Sequence, residues 1–380
     1  MFLQKLFLIN FKNYREQELR FSPKFNCFVG NNGEGKTNLL EAIHYLSFCK
    51  SFFNLIDSQN ILHDTAFFVI QGEFVIKDKT ENVYCGLKRG EKKQFKLNQK
   101  EYSRLAEHIG YIPLVVVSPM DEELITGGSE QRRKFIDRVI SQFDTDYLDK
   151  LIIYNKILLH RNALLKRFAE NRYFDKIELE VWDTQLIPLG NEIHNKRMQF
   201  VQNFNPYFQK YYEQISGNGA DNEYFTNLRI TNNEQVSFVY DSQLNDNNFE
   251  NLIRETIVKD RSIQYTSAGI HKDDLVFNIN DYPLKKFGSQ GQQKTYLTAL
   301  KFAELEYLKK MKNTNPILLL DDIFDKLDET RVTRIMEIVG SPDFGQIFIT
   351  DTHKERISDI LEKQNAEFKM FEIKKGSVVE

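Results

Sequence analysis

Three short stretches of this chain carry residue types whose spacing suits phosphate chemistry. Gly30-Asn31-Asn32-Gly33-Glu34-Gly35-Lys36-Thr37 satisfies the pattern G-x-x-x-x-G-K-[ST] at every fixed position. Glycines there let successive backbone N–H groups curl around an anion, and a following helix adds the dipole of its N-terminus. Lys36 is then the residue that reaches the β- and γ-phosphates of a nucleotide, and Thr37 offers a hydroxyl to Mg²⁺. An Asn/Gly-rich turn that happens to end in Lys-Thr would look the same in isolation. The flanks decide against it: the apolar run Phe25–Val29 precedes the loop, and the helically spaced Asn38–Ile43 follows it. Strand, loop and helix form the context such a loop requires. The second stretch, Ile317-Leu318-Leu319-Leu320-Asp321-Asp322, is an apolar strand ending in two carboxylates, with Phe324-Asp325-Lys326-Leu327-Asp328 close behind. Beside a phosphate loop, the first carboxylate serves the metal and the second polarises the attacking water. The third, Phe287-Gly288-Ser289-Gln290-Gly291-Gln292-Gln293-Lys294, opens a helix. Ser289 there is a good N-cap, and with the first free backbone N–H groups it is also an anion site.

The elements that must hold these groups follow from hydrophobic periodicity. Strands are expected at residues 3–9, around Glu18–Phe21 and at Phe25–Val29, followed by a helix from Thr37 to about Phe48. Residues 66–100 alternate like an antiparallel sheet, and Leu114–Val117 reads as a short buried strand. From Glu130 to about Glu213 the helical period dominates, with Pro188 and Gly190 placed to bend or break the third stripe. Asn227–Ile230 and Val236–Tyr240 suggest a short hairpin between Asn-rich loops. Strand character returns at Leu275–Ile279, Ile317–Leu320 and Gln346–Ile349, with a helix from about Ser289 to Lys310. The two parts of a nucleotide-binding domain, 1–120 and 262–380, therefore flank a mainly helical arm, 121–261. Lys36 is expected in a solvent-facing loop.

Composition narrows the class. The chain has 380 residues, 41% hydrophobic and 28% charged, which suits a soluble protein of two domains or of one domain with a large insertion. No apolar run is long enough to span a bilayer, and the first residues do not form a signal peptide, so a cytoplasmic location is expected. Cys27, Cys49 and Cys85 are scattered without metal-site spacing. The net charge of −3 means that any binding of nucleic acid must come from local patches.

The order of motifs resembles the ABC-type ATPase heads of the SMC family, in particular its bacterial recombination mediators. The likeness extends to Asn10-Phe11-Lys12-Asn13-Tyr14, to Gly35–Ala42, to Val117-Ser118-Pro119 through Gly127 and to Gln131–Asp137. Gly269-Ile270-His271-Lys272-Asp273-Asp274 resembles the family's Gly-Pro-His-Arg-Asp-Asp element, departing from it at Ile270 and Lys272. The resemblance implies an α/β fold, an ABC-type P-loop ATPase head with antiparallel and parallel sheet lobes, interrupted by the helical arm. It implies ATP and Mg²⁺, with Lys12, Asn32 and Asn38 joining Gly30, Asn31, Gly33, Glu34, Gly35, Lys36 and Thr37 around the nucleotide. Ser289, Gly291 and Gln292 would contact the γ-phosphate held by a second copy. Thr37 and Asp321 would serve Mg²⁺, and His353 would sense the γ-phosphate. Asp322 stands where many relatives carry Glu, which suits a slow, switch-like ATPase. Gln71 is the candidate for a glutamine that monitors the metal, whereas His271 and Asp274 read as structural or interfacial.

The resemblance also implies an ATP-dependent homodimer acting without sequence preference on single- and double-stranded DNA at gapped junctions. RecO and RecR would be its partners in loading RecA. A transporter-type ABC subunit is the competing class; the long helical insertion argues against it. An SMC-like head with a nuclease lacks the appended metal-carboxylate domain. Basic clusters occur at Arg132, Arg133, Lys134 and Arg138, at His160, Arg161, Lys166 and Arg167, and at Lys88, Arg89, Lys92, Lys93, Lys96 and Lys100. Such charge ordinarily marks a solvated face. Arg132, Arg133, Lys134 and Arg161 are the candidates for contact with DNA phosphates, which would give affinity without sequence choice.

Overall fold

The computed structural model describes residues 1–53, 56–216, 234–326, 329–363 and 366–379, and the chain divides into two compact units. The first comprises Met1–Asp121, Lys210–Asn232 and Thr295–Glu380. It opens on the hairpin β1 (Phe2–Phe11) and β2 (Tyr14–Arg20), then β3 (Phe25–Val29) and α1 (Lys36–Phe48). β4 (Phe67–Ile76), β5 (Lys79–Lys88), β6 (Gln94–Leu97), β7 (Lys100–Glu101) and β8 (Leu114–Val117) follow. One sheet is antiparallel, in the order β2-β1-β4-β5-β6-β7. Along β4, Phe68, Ile70 and Phe74 alternate inward and meet α1 in a single core that also takes in Leu319 and Phe348. Every residue from Leu39 to Cys49 is buried, so α1 has no solvent face. Buried on every side and mostly apolar, it fills the space between two sheets.

The second unit comprises Glu122–Gln209 and Asn233–Lys294. It contains α2 (Glu123–Thr126), α3 (Ser129–Ser141), α4 (Thr145–Glu170) and most of α5 (Lys176–Ser216). β9 (Val236–Asp241), α6 (Phe249–Ile263), β10 (Asp274–Ile279), β11 (Tyr282–Pro283) and α7 (Leu284–Phe287) complete it. Asp144 caps α4 by accepting from the Tyr147 N–H at 2.8 Å, and Asn248 caps α6 in the same way through Asn251 at 3.1 Å. Two expectations change here. α5 runs unbroken through Pro188 and Gly190; a Cβ on Gly190 would sit 2.3 Å from the Phe249 ring, so the glycine admits α6 rather than ending a helix. Residues 262–294, which the sequence places with the head, pack with this unit, because β10 pairs along its whole length with β9. Val236–Tyr240 forms a strand as expected and pairs with β10; its expected hairpin partner, Asn227–Ile230, lies outside the described residues.

Helix α8 (Gln290–Lys312) leads back to the first unit, followed by β12 (Ile317–Asp321), α9 (Glu329–Gly340), β13 (Ile347–Asp351) and α10 (Lys354–Lys363). The hairpin β14 (Phe368–Lys374) and β15 (Ser377–Val379) comes last. The second sheet runs β15-β14-β3-β13-β12-β8, parallel except at β15. Strands β3, β8, β12 and β13 are buried at every position, hence their mostly apolar sequences. Phe21 packs edge-on against Phe28, Phe348 and Phe371, at 6.1, 4.9 and 5.6 Å between ring centroids. Gln346 ties the two sheets: its amide donates to the carbonyls of Leu3 and Ser22 at 2.8 Å each, and its oxygen accepts from the Leu3 N–H at 2.7 Å.

Candidate active site

Parallel strands end together, and the chemistry sits at that end. Asp321 closes β12 in register with Thr350, and Asp351 closes β13 in register with Val29, the last residue before the phosphate loop. The Gly30 N–H donates to the Asp351 carbonyl at 3.3 Å. The loop is held from several sides. Gly35 has φ 113°, and a Cβ there would lie 2.4 Å from the Asn13 amide nitrogen, so glycine is required by both conformation and space. Asn13 donates to the Glu34 carbonyl at 2.9 Å and accepts from Asn38 at 2.8 Å, while Tyr14 donates to the Gly35 carbonyl at 3.0 Å. The turn of the β14–β15 hairpin braces the other side: the Gly376 N–H donates to the Glu34 carbonyl at 3.0 Å, and the Lys375 N–H to the Glu34 carboxylate.

Lys36 does not face solvent as expected. It is 5% exposed, and its ammonium donates to the carbonyls of Gly30 at 2.6 Å and Asn31 at 3.0 Å, with the Asn32 side-chain oxygen at 3.5 Å. An ammonium has three donors, and the curled loop supplies acceptors for them. Thr37 donates its hydroxyl to Oδ1 of Asp321 at 2.9 Å, and Thr350 donates to the same oxygen at 2.8 Å. Burial pushes the Asp321 carboxyl up from its usual range, opposed by these two hydroxyls and by the charge of Lys36. Asp322 follows at φ 52°, its N–H donating to Thr350 at 2.9 Å. His353 is 67% exposed on its side chain; its N–H donates to Asp351 at 2.7 Å and its Nδ1 meets the Thr352 hydroxyl at 2.9 Å.

Lys12 reaches this neighbourhood through α1. Its ammonium pairs with the fully buried Glu41, which also accepts from Ser51, and desolvation lowers the Lys12 pKa to about 8. Gln71 does not approach the loop: it lies on the face of β4 opposite Phe68, Ile70 and Phe74, the residues packed with α1. In the second unit Ser289 and Gln292 form a reciprocal cap. The Gln292 N–H donates to the Ser289 hydroxyl at 3.2 Å, and the Ser289 N–H to the Gln292 side-chain oxygen at 2.7 Å. Gln292 also donates to Glu234 at 2.7 Å, and Gly291 lies in the first turn of α8. Ser289 is exposed at that helix start. Asn13, Tyr14 and the β14–β15 turn were not anticipated as supports; the signal for the first two lay in Asn10–Tyr14.

Comparison with known proteins bears on this arrangement. Residues 2–377 match the family described as RecF/RecN/SMC N terminal domain. A DNA replication and repair protein RecF of Phocaeicola vulgatus is 50% identical over 382 residues, spanning 100% of this chain and 98% of that protein. The chain belongs to the RecF family. The RecF of Flavobacterium johnsoniae is 49% identical over 373 residues, spanning 98% of this chain and 100% of that one. Among solved structures, the recombination mediator RecF with ATP, described within the RecFOR pathway, aligns with TM-score 0.84 at 31% identity, over 100% of this chain and 97% of that one. The Smc head domain from Pyrococcus furiosus aligns with TM-score 0.56 at 16% identity and speaks to fold alone. The RecF-family chain thus has the α/β ABC-type ATPase head fold expected from its motifs, and it belongs to an ATPase family.

The four cations singled out for DNA are not equivalent in this RecF-family chain. Arg161 is fully buried; it pairs with Asp183 at 2.6 Å and Asp260 at 2.8 Å and donates to Thr266 at 2.8 Å. Arg132 grips Asp274 through two nitrogens at 2.6 and 2.9 Å and donates to the Leu124 and Gly127 carbonyls at 3.1 Å each. Both are structural: Arg161 is sealed from solvent between two carboxylates, and the Arg132 guanidinium is spent on Asp274 and two carbonyls inside the protein. Arg133 is half-buried and donates to the Asp273 carbonyl at 2.5 Å. Lys134 alone of the four is exposed, in an i,i+4 pair with Glu130 at 2.7 Å. Lys93, of the hairpin cluster, is likewise occupied, with Asp57 at 2.6 Å. As expected, Asp274 and His271 serve structure. His271 accepts at Nδ1 from the Tyr154 hydroxyl at 3.0 Å and donates from Nε2 to the Thr266 carbonyl at 3.0 Å, and burial lowers its pKa to about 4.

Proposed function

We propose that this chain is an ATP-dependent DNA-binding protein of recombinational repair and replication-gap processing. In this reading it closes as a homodimer on DNA when ATP is bound and reopens on slow, DNA-stimulated hydrolysis. It would act in the cytoplasm at gapped junctions, without sequence preference, together with RecO and RecR to load RecA. The observation that carries the reading is the bond between Thr37, the last residue of the phosphate loop, and Asp321, at the end of β12 in the same parallel sheet. It supports reading the phosphate loop and the carboxylate-ended strand as one nucleotide site, in a chain matched to RecF proteins along its whole length.

The residues divide the work. Lys36 would exchange its loop carbonyls for the β- and γ-phosphates, with Gly30, Asn31, Asn32, Gly33, Glu34 and Gly35 supplying backbone around them and Lys12 and Asn38 flanking the nucleotide. Thr37 and Asp321 are hard oxygen donors that fit Mg²⁺, which takes one or two protein oxygens and completes its shell with phosphate and water. Bound there, the ion would neutralise charge developing on the phosphates. Asp322 would hold the attacking water, and His353 would sense the γ-phosphate. Ser289, Gly291 and Gln292 would reach the nucleotide held by a second copy, so that a two-fold dimer binds two ATP. Only ATP supplies the γ-phosphate contact that distinguishes the closed state from the open one.

Analytical ultracentrifugation with ATP, with ADP and with a slowly hydrolysed ATP analogue tests the proposal. Dimer mass is expected with ATP and the analogue only; equal mass in all three sinks the shared-site mechanism. ATPase rates with added DNA and with added lipid vesicles separate the DNA reading from a transporter-type one.

A further inference from the structure

Within the second unit, the connection between α4 and α5 contains a site that the nucleotide chemistry does not use. Leu165 and Phe168 of α4, Phe174 of the connection and Val258 of α6 help to line an open cavity of about 520 Å³. Its floor is apolar, since Leu165 and Phe168 are buried and Phe174 meets Phe168 edge-on at 5.4 Å. Its rim leaves apolar surface in water: Val258 is 74% exposed and Tyr173 53%. Two arginines, Arg172 and Arg261, complete the lining. The Arg261 guanidinium lies 4.1 Å from the centroid of the Phe174 ring. Among the described residues, neither arginine has a carboxylate within ion-pairing distance. Other arginines of the unit do: Arg132 has Asp274, Arg161 has Asp183, Arg167 has Glu178 and Arg197 has Asp137. Asp175, in the same connection, is occupied by the N–H of Ile177 at 2.8 Å and the hydroxyl of Tyr173 at 3.0 Å.

We propose that this cavity is a docking site for an acidic peptide segment of a partner protein, anchored by an aromatic or large aliphatic side chain. The volume is that of a pocket for a few side chains. An apolar anchor would cover Leu165, Phe168 and Val258, and flanking carboxylates would take Arg172 and Arg261. Stacking on Phe174 pre-organises Arg261 with its N–H edge free for bidentate pairing to a carboxylate. A nucleic-acid base is the poorer occupant, because Arg261 already lies over the Phe174 ring that a base would need for stacking. This inference stands apart from the nucleotide reading, and binding is expected without ATP.

Fluorescence anisotropy of the full chain with a fluorescein-labelled hexapeptide, four aspartates followed by two phenylalanines, tests it. Saturable binding is expected with Kd on the order of 10–100 µM. Replacing both phenylalanines by alanine should weaken it about tenfold or more, as should the double variant Arg172→Glu/Arg261→Glu. Val258→Glu changes an exposed apolar lining residue outside the core and should weaken binding to a similar degree. The proposal is overturned by the absence of saturation up to about 1 mM. Equal binding of the alanine peptide, or undiminished binding by the variants, also overturns it. So does displacement of the peptide by an oligothymidylate whose own affinity falls in the double-arginine variant, which would make the site one for nucleic acid.

Discussion

Replacing Arg161 by methionine removes a fully buried guanidinium and keeps most of its volume. What remains is Asp260, fully buried, and Asp183, 14% exposed on its side chain, facing a thioether. Taking one partner from a buried pair costs about 3–5 kcal/mol, because the remaining charge keeps its desolvation penalty without compensation. In a unit of this size each kcal/mol moves the melting midpoint by about 2–4 °C, so a drop on the order of 10 °C is expected. The pH dependence has a definite sign. Burial raises the Asp183 pKa, and Arg161 acts to pull it down. Without Arg161 it rises further above the unfolded value of about 3.9. A carboxyl that holds its proton more tightly when folded contributes stability that is fully present below the unfolded pKa and lost as pH rises through the folded one. The deficit of Arg161→Met should therefore be largest at neutral pH and shrink towards about pH 4. Circular-dichroism melts across that range measure it, with DNA affinity recorded well below the midpoint. An unchanged midpoint together with weakened DNA binding would return Arg161 to the DNA surface and refute the reasoning.

Lys36→Met should abolish ATP binding or turnover, and calorimetric titration with ATP checks it; wild-type turnover would remove the phosphate-loop assignment. Asp322→Asn should bind ATP and hydrolyse it far more slowly, because the amide keeps shape and loses the charge that orients water. Asn adopts left-handed backbone readily, so the φ of 52° there is no obstacle, and an unchanged rate would place the base elsewhere. Ser289→Arg should bind ATP as a monomer, and mixing it with Lys36→Met chains should restore at most one complete site per dimer; sedimentation with ATP reads both. DNA affinity should fall linearly in log–log form with salt and barely respond to sequence, while Arg132→Ala should lower the melting midpoint without changing that slope. A sequence-dependent affinity, or a slope flattened by Arg132→Ala, would overturn this.

The candidate nucleotide site was legible in the sequence because its signals are local. The loop Gly30–Thr37 with its flanks, the carboxylates ending Ile317–Asp322 and the cap at Ser289 each declare themselves within a few residues. What escaped depended on partners far away in the chain. Arg161 pairs with Asp260 across 99 positions and Arg132 with Asp274 across 142, so nothing near either arginine signals that its charge is consumed. Gln71 looked available until the alternation of β4 fixed its face. Pro188 signalled a break, yet tertiary packing carried α5 through it. The β14–β15 hairpin was missed because Phe368–Lys374 mixes lysines and glutamate with its apolar residues, and only its parallel pairing with β3 reveals a strand.

The placing of β3 has a consequence for synthesis. Its two neighbours in the sheet are β13 and β14, both more than three hundred residues downstream. A ribosome adding about 5–20 residues per second makes them only after a delay on the order of half a minute. Throughout that interval Phe25–Val29, a strand buried at every position when folded, has neither edge covered. The stretch that later feeds the phosphate loop is thus one of the most aggregation-exposed parts of the nascent chain, and a chaperone that recognises short apolar strands should find it there. Slowing translation between the codons for β3 and β13 should lower the soluble yield, whereas the same pause placed after β14 should leave it unchanged.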